Sequence, residues 1–235
     1  MEHGGQFPVT RWTLVSRIRE DTGEERERAL GELCELYWLP VYGYFRRSGN
    51  GVDESKDLTQ SFFAMVLERN DFAKAEKGRG KLRSYLLTAA RHFAYDDWEK
   101  QKALKRGGEA QVFSIDAAEA EGWYGELEEG GTAEEFFDRQ WAIAILDRAM
   151  LALREEYRRL GREEQFECLR SCLIAEGGYA EAASRAGMTE GATRVAAHRM
   201  RKRLRQFVED EVRETVSESQ EYDEELKNFI ETFAG

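Results

Sequence analysis

The chain has 235 residues, of which 41% are hydrophobic and 34% charged, and these proportions favour a globular protein over a disordered one. Pro8 and Pro40 are its only prolines, so almost the whole chain is free to form helices, and the alternating patterns of hairpins are missing. No apolar run approaches the roughly 20 residues of a membrane span, and the first residues do not read as a signal peptide. From Cys34, Cys168 and Cys172 we expect reduced thiols in a cytoplasmic protein, and no metal site.

The net charge of −11 is distributed unevenly along the chain. Residues 107–138 hold ten acidic residues and no Lys or Arg, and residues 209–235 hold ten acidic residues against Arg213 and Lys227. These two segments carry local charges of −10 and −8, so the rest of the chain carries +7. The pattern indicates two mildly basic blocks, each followed by an acidic stretch, and it is compatible with a nucleic-acid partner despite the acidic total.

The first block, residues 1–106, is predicted to be a helical domain. A short apolar helix near Trp12 to Ile18 precedes a longer helix that starts near Glu24 and that Pro40 could kink or divide. A third helix covers about residues 53–70, and the stretch 72–81, rich in glycine and lysine, is a basic loop. A long helix then covers residues 82–105 and ends before Gly107.

Residues 107–134 are predicted to be an acidic linker, because they contain several glycines and show little periodicity. The spacing of Thr132 and Glu135 is that of a capping box, which opens the second block at residues 135–216. Shorter helices are expected within it at residues 163–176, 179–186 and 189–216. Residues 217–235 form an acidic tail with an amphipathic helix at 223–233, so the chain divides into four segments.

Residues 179–205 show the strongest local pattern, that of a helix-turn-helix. Ala183 is small enough for two helices to touch, Gly187 tolerates the positive φ of a turn, and Thr189 can cap the second helix. Six of the twelve residues from 194 to 205 are Lys or Arg, and none is acidic. We therefore predict a DNA-recognition helix whose N-terminal side chains read bases while its basic side chains bind phosphates. The alternative is a solvated basic helix that pairs with the acidic tail.

Two motifs of the first block extend this interpretation. The sequences DLTQSFF at residues 57–63 and LRSYLLTAARHFAYDD at residues 82–97 resemble the second conserved region of sigma-70-family RNA polymerase sigma factors, most closely the extracytoplasmic-function type. The resemblance covers roughly residues 10–106 and 135–210. It implies an all-α fold with two helical domains, a region 2-like bundle and a region 4-like helix-turn-helix, joined by the acidic linker.

Three sets of binding residues are predicted, the first two from the resemblance. The set that docks on core RNA polymerase is Asp57, Leu58, Gln60 and Phe63. The set that holds the melted −10 element is Lys74, Lys77, Arg79, Arg83, Tyr85, Arg91, His92, Asp96, Lys100 and Lys102. The set for the −35 duplex comes from the helix-turn-helix pattern. Its expected base-reading residues are Thr189, Glu190, Thr193, Arg194 and Ala197, and its expected phosphate-binding residues are His198, Arg199, Arg201 and Lys202.

These sets imply core RNA polymerase and promoter DNA as partners of a chain that is a monomer when free, with an anti-sigma factor left open as a third partner. No catalytic residue, cofactor or metal is expected, because the sequence holds no metalloprotease, nucleophile-elbow, phosphate-loop or paired-cysteine motif. Two alternatives remain. One is a helix-turn-helix regulator that binds operators without polymerase, and the other is an adaptor that binds polymerase or an anti-sigma factor but not DNA.

Overall fold

A computed structural model describes residues 14, 17–18, 21–68, 81–103, 131–174, 178–216 and 219–234. Every regular element within these ranges is an α-helix, which confirms the prediction of an all-helical protein. None of the helices described combines the length and the apolar character that a bilayer span requires. Leu14 and Ile18, from the short helix predicted near the start, are both helical and buried.

The helices are numbered here in chain order. They are α1 (Glu24–Arg47), α2 (Val52–Glu68), α3 (Leu82–Ala103), α4 (Ala133–Arg159), α5 (Glu163–Leu169), α6 (Ser171–Ile174), α7 (Tyr179–Ala186), α8 (Glu190–Glu214) and α9 (Ser219–Ala234). Helix α7 has the predicted bounds, and α9 is longer than predicted. The single helix expected at 163–176 is instead divided into α5 and α6 at Arg170.

Contacts divide the chain into two compact units. The first unit comprises Met1–Ala144 together with Arg213–Gly235, and the second comprises Ile145–Val212. Helices α4 and α8 each contribute residues to both units. These boundaries differ from those of the four sequence-based segments, because the start of α4 and the C-terminal helix α9 pack with the first block.

An aromatic cluster holds α1, α2 and α3 together in the first unit. The rings of Phe45, Phe62 and Phe93, one from each helix, lie with their centroids 5.9 to 6.2 Å apart, at inclined or edge-to-face angles that favour aromatic pairs. Helix α1 continues through Pro40, which is buried. Packing against α2 and α3 therefore outweighs the cost of about 3 kcal/mol that an internal proline imposes on a helix.

The start of α4 is fixed by a cap and by a close approach to α1. The Thr132 N–H donates to Glu135 Oε2 at 2.7 Å, and the Glu135 N–H donates to Thr132 Oγ1 at 3.1 Å, which confirms the predicted capping box. The ring of Phe136 lies directly over Gly43. A Cβ atom at Gly43 would stand 1.7 Å from Phe136 Cε1, so only glycine permits this approach.

The second unit is built around one hydrophobic cluster to which α4, α5, α6, α7 and α8 all contribute. Its buried members are Leu153, Phe166, Leu169, Cys172, Ala182, Ala197 and Met200. Two of them are small alanines, Ala182 on α7 and Ala197 on α8. This cluster determines which face of α8 points inwards.

Candidate nucleic-acid interfaces

The turn between α7 and α8 has the geometry that its residues predict. Gly187 ends α7 with φ 62° and ψ 32°, in the left-handed region that glycine adopts without strain. The Met188 N–H donates to the Ala183 carbonyl oxygen at 3.0 Å, which closes the end of the helix. Ala183 itself is only 6% exposed. The helix, turn and helix predicted at residues 179–205 are therefore present.

Thr189 begins α8 as a cap. Its Oγ1 accepts a hydrogen bond from the Ala192 N–H at 3.2 Å, and its carbonyl oxygen accepts one from the Thr193 hydroxyl at 3.0 Å. Glu190, in the first turn, is exposed and forms an ion pair with Arg194 at 2.6 Å. The guanidinium of Arg194 also lies 5.4 Å from the centre of the Tyr179 ring. Arg194 is thus held in place at the N-terminal end of the helix while staying 64% exposed.

Two residues predicted to read bases lie in the core instead. Thr193 and Ala197 are both 0% exposed, and Ala197 belongs to the hydrophobic cluster of the second unit. Their side chains cannot reach base edges from this position, so the assignment of Thr193 and Ala197 to the −35 set is corrected. The pattern of α8 alone does not reveal this, because a short threonine or alanine suits either face.

The outward face of α8 carries a different set of side chains. His198, Arg199 and Lys202 are exposed, as predicted for phosphate-binding residues. Arg199 and Lys202 form no ion pair or hydrogen bond through their side chains with the described part of the chain. Val195 is 53% exposed on the same helix and was not predicted as a site residue. No local pattern of the sequence identifies Val195, because its exposure becomes evident only once Thr193 and Ala197 are known to be buried.

Other basic residues of α8 hold the second unit together. Arg201 donates to the Cys172 carbonyl oxygen at 2.6 Å and to the Tyr179 hydroxyl at 2.6 Å, so part of the guanidinium predicted to contact phosphate is used within the fold. Arg203 donates from Nε to both carboxylate oxygens of Glu156, at 2.8 and 2.9 Å. That hydrogen bonding from Arg203 lowers the pKa of Glu156 below its usual value. The positive charge of α8 is therefore only partly available to an outside ligand.

A cleft of about 220 Å³ in the first unit brings together three residues of the predicted −10 set. It is lined by Met65, Val66, Tyr85, Thr88, Ala89, His92, Phe93 and Asp96. Helix α2 supplies an apolar wall, and α3 supplies Tyr85, His92 and Asp96, of which Tyr85 is half-buried and the other two are exposed. An apolar wall opposite an aromatic ring and hydrogen-bonding groups suits a flat heterocyclic ring. The sequence predicted these three residues from motif resemblance, and the cleft shows that they are neighbours.

Arg91 lies apart from that cleft. It is exposed on α3 and stands near Tyr44 of α1. Burial raises the pKa of the Tyr44 hydroxyl, with a further increase from Glu134, and the positive charge of Arg91 offsets part of the effect. The structure therefore places Arg91 on a different side of α3 from Tyr85.

Arg83, another predicted −10 residue, is buried in an ion-pair network. Its Nε donates to Glu225 Oε1 of α9 at 2.9 Å, its Nη1 donates to Asp138 of α4, and its guanidinium lies 4.8 Å from the centre of the Trp141 ring. Burial by itself would lower the pKa of Arg83, but the bonds and charges of Glu225 and Asp138 more than offset it and raise that pKa. Lys81 joins the network at 3.4 Å from Glu225. The assignment of Arg83 to the DNA-binding surface is corrected, because its side chain is 9% exposed and is paired with two carboxylates of the chain itself.

The residues predicted to dock on polymerase lie on α2, and most are covered. Leu58, Gln60 and Phe63 are 7%, 9% and 4% exposed, and Phe63 stacks on Trp38 with ring centroids 5.8 Å apart. Asp57 is exposed. Leu58, Gln60 and Phe63 therefore pack beneath the outer surface of α2 and do not form it. Their assignment as contact residues is corrected.

Several predicted site residues fall outside what the structure describes. Lys74, Lys77 and Arg79 lie outside the described residues, and Lys100 and Lys102 lie on α3 with side chains that are not described. The predicted acidic linker lies mostly outside the described residues as well. Among those that are described, no group of three or more His, Cys, Asp or Glu side chains is placed to hold a metal ion.

Comparison of the chain with known protein families, curated proteins and solved structures found no match. A functional assignment must therefore rest on the geometry of the two units and on the motif resemblance of the sequence.

Proposed function

We propose that the chain is a sigma-type initiation factor, which binds core RNA polymerase and directs it to promoters. The observation that carries the proposal is the second unit, where a glycine turn and a threonine cap position a helix with an exposed basic face. Arg194, His198, Arg199 and Lys202 are exposed on that helix. A helix with this arrangement can enter the major groove and bind phosphates on either side of it.

The cleft of the first unit supports the other half of the proposal. Bases of a melted strand lose their stacking partners, and an aromatic side chain such as Tyr85 can replace one at about 1–3 kcal/mol per base. His92 and Asp96 stand beside it and can form hydrogen bonds with the edge of a base. The first unit would thus hold the single-stranded −10 element while the second binds the −35 duplex.

We expect the free chain to bind DNA weakly. Two of the basic residues of α8 are used within the fold, and the chain as a whole carries a net charge of −11, which repels DNA. Polymerase would hold both units on one promoter, so that binding of the first raises the effective concentration of the second. This dependence on polymerase separates a sigma factor from a regulator that binds operators alone.

Run-off transcription with purified core polymerase on a promoter library tests the proposal. We expect promoter-dependent product with the wild-type chain and a loss of about tenfold with Tyr85→Ala or Arg199→Ala, in line with the loss of one stacking or phosphate contact. Matched controls are Tyr95→Ala, at a 61% exposed position of α3 outside the cleft, and Arg159→Ala, at a 69% exposed position of α4. Both controls are expected to retain wild-type activity.

Two outcomes would overturn the proposal. A chain that fails to associate with core polymerase, or that leaves initiation unchanged on every template, is not a sigma factor. Tight and salt-dependent binding to a palindromic duplex without polymerase would instead favour the operator-binding regulator. Association with polymerase that is unaffected by DNA and by both variants would favour the adaptor.

A further inference from the structure

The burial pattern of α8 defines a single outward face. Thr193, Ala197 and Met200 are each 0% exposed and mark the side that packs into the second unit. With about 100° of rotation per residue, Val195 lies about 140–160° away from all three around the helix axis. Val195 is therefore at the centre of the outward face, which agrees with its 53% exposure.

The neighbours of Val195 on this face are either very small or basic. Gly191 and Arg199, one turn on either side, are within about 40° of it around the axis, and Lys202 is within about 20°. A Cβ atom at Gly191 would meet nothing within 4 Å, so the surface is open at that end. Small residues at the start of the helix allow its backbone to approach base pairs closely, while the basic residues further along can bind phosphates.

A valine at the centre of such a face has one specific ligand in duplex DNA. Its side chain has no hydrogen-bonding group, and the only apolar group that the major groove presents is the C5-methyl of thymine. The basic residues around Val195 favour DNA over an apolar protein surface as the ligand. An apolar protein surface carries few charges and would leave Arg199 and Lys202 without counter-charges.

We propose that Val195 is a specificity-determining residue that contacts the methyl group of a thymine in the duplex bound by the second unit. This inference rests on the proposed function, since it assumes that α8 enters the major groove. Base recognition is thereby assigned to Val195, which lies between Thr193 and Ala197 in the sequence, and not to those two buried residues.

The test combines a protein variant with a DNA variant. A duplex selected by the full wild-type chain without polymerase, at low ionic strength where weak binding to DNA is measurable, is resynthesised with each thymine in turn replaced by deoxyuridine, which lacks only the methyl group. For the wild-type chain we expect one replacement to weaken binding about fourfold, the effect of one buried methyl-sized group. With Val195→Ala, that same replacement is expected to have no further effect.

Leu151→Ala is the matched control, because Leu151 is an aliphatic residue of the same unit that is 64% exposed on α4. It is expected to preserve the fourfold difference between thymine and deoxyuridine. The inference is overturned if Val195→Ala retains that difference, if no replacement affects the wild-type chain, or if Val195→Ala weakens binding to polymerase without changing binding to the duplex. Duplex binding is measured with the full chain alone, so this test does not depend on polymerase. If the chain fails to bind polymerase, only the proposed function is overturned.

Discussion

The ion-pair network around Glu225 makes a prediction about the stability of the first unit. Glu225 is 0% exposed on α9, and its carboxylate accepts hydrogen bonds from Arg83 Nε at 2.9 Å and from Arg83 Nη2 at 3.1 Å. The side chain of Arg83 is 9% exposed, so solvent cannot replace a lost partner. We therefore expect Glu225→Gln to destabilise the protein strongly although it preserves the shape of the side chain.

The size of the effect follows from what remains after the substitution. Removing one partner of a buried ion pair costs about 3–5 kcal/mol, because it leaves the other charge buried and uncompensated. Asp138 still pairs with Arg83, and the amide oxygen of a glutamine can still accept one hydrogen bond. These two contacts reduce the expected loss in the free energy of unfolding to about 2–3 kcal/mol.

Urea denaturation of the full chain, followed by circular dichroism, measures this loss. The control is Glu231→Gln on the same helix, where the carboxylate is 61% exposed and lies 3.6 Å from Lys227. An exposed pair of this kind contributes about 0–1 kcal/mol, so the control should change little. If Glu225→Gln costs no more than Glu231→Gln, the buried carboxylate does not stabilise α9 on the first unit and the reasoning is wrong.

Three further substitutions test the packing, the turn and an ion pair. Gly43→Ala should lower stability by about 1–3 kcal/mol because the added Cβ would meet Phe136 Cε1 at 1.7 Å, whereas Gly31→Ala, in open space on the same helix, should raise the thermal midpoint. Equal shifts for the two variants would contradict the close approach. Gly187→Ala, at φ 62°, should cost about 1–2 kcal/mol in thermal denaturation, whereas Gly191→Ala, which meets nothing within 4 Å, should cost nothing. Glu156→Gln should destabilise the chain at neutral pH, because it removes the ion pair with Arg203 that lowers the pKa of Glu156. That ion pair stabilises the fold above the ordinary pKa of 4.5, and its contribution is lost as the pH falls through the lower pKa of Glu156 in the folded chain. The difference in urea midpoint between wild type and Glu156→Gln should therefore shrink as pH falls from about 6 to about 3, and a constant difference would exclude this origin.

Local features of the fold could be predicted from the sequence because they depend on residues close together in the chain. The capping box of Thr132 and Glu135, the bounds of α7 and the turn at Gly187 each involve neighbours within about five positions. The effect of Pro40 was left open by the sequence, and the continuous helix α1 is a result of packing between helices.

The candidate site was predicted less completely, and Arg83 shows the reason. Its position beside Tyr85 in the motif at residues 82–97 indicates a DNA contact by resemblance, but its actual partner Glu225 is 142 residues away in the sequence. Arg201 is a similar case, since it bonds to the Cys172 carbonyl oxygen 29 residues earlier. No local pattern distinguishes an arginine that binds a ligand from one that holds two helices together.

By itself, the amino-acid sequence determined that this chain is helical, where the turn between α7 and α8 lies, and that α8 carries dense positive charge, because propensity, caps and composition are properties of short segments. Only the tertiary structure decided which side of α8 faces solvent. That choice is made by the cluster around Phe166, Ala182 and Met200, which buries Thr193 and Ala197 and leaves Val195 and Arg199 outside. The physical reason is that the burial of a residue depends on where distant helices pack. When a helix has small or amphipathic residues on several sides, its own sequence does not determine which face is buried.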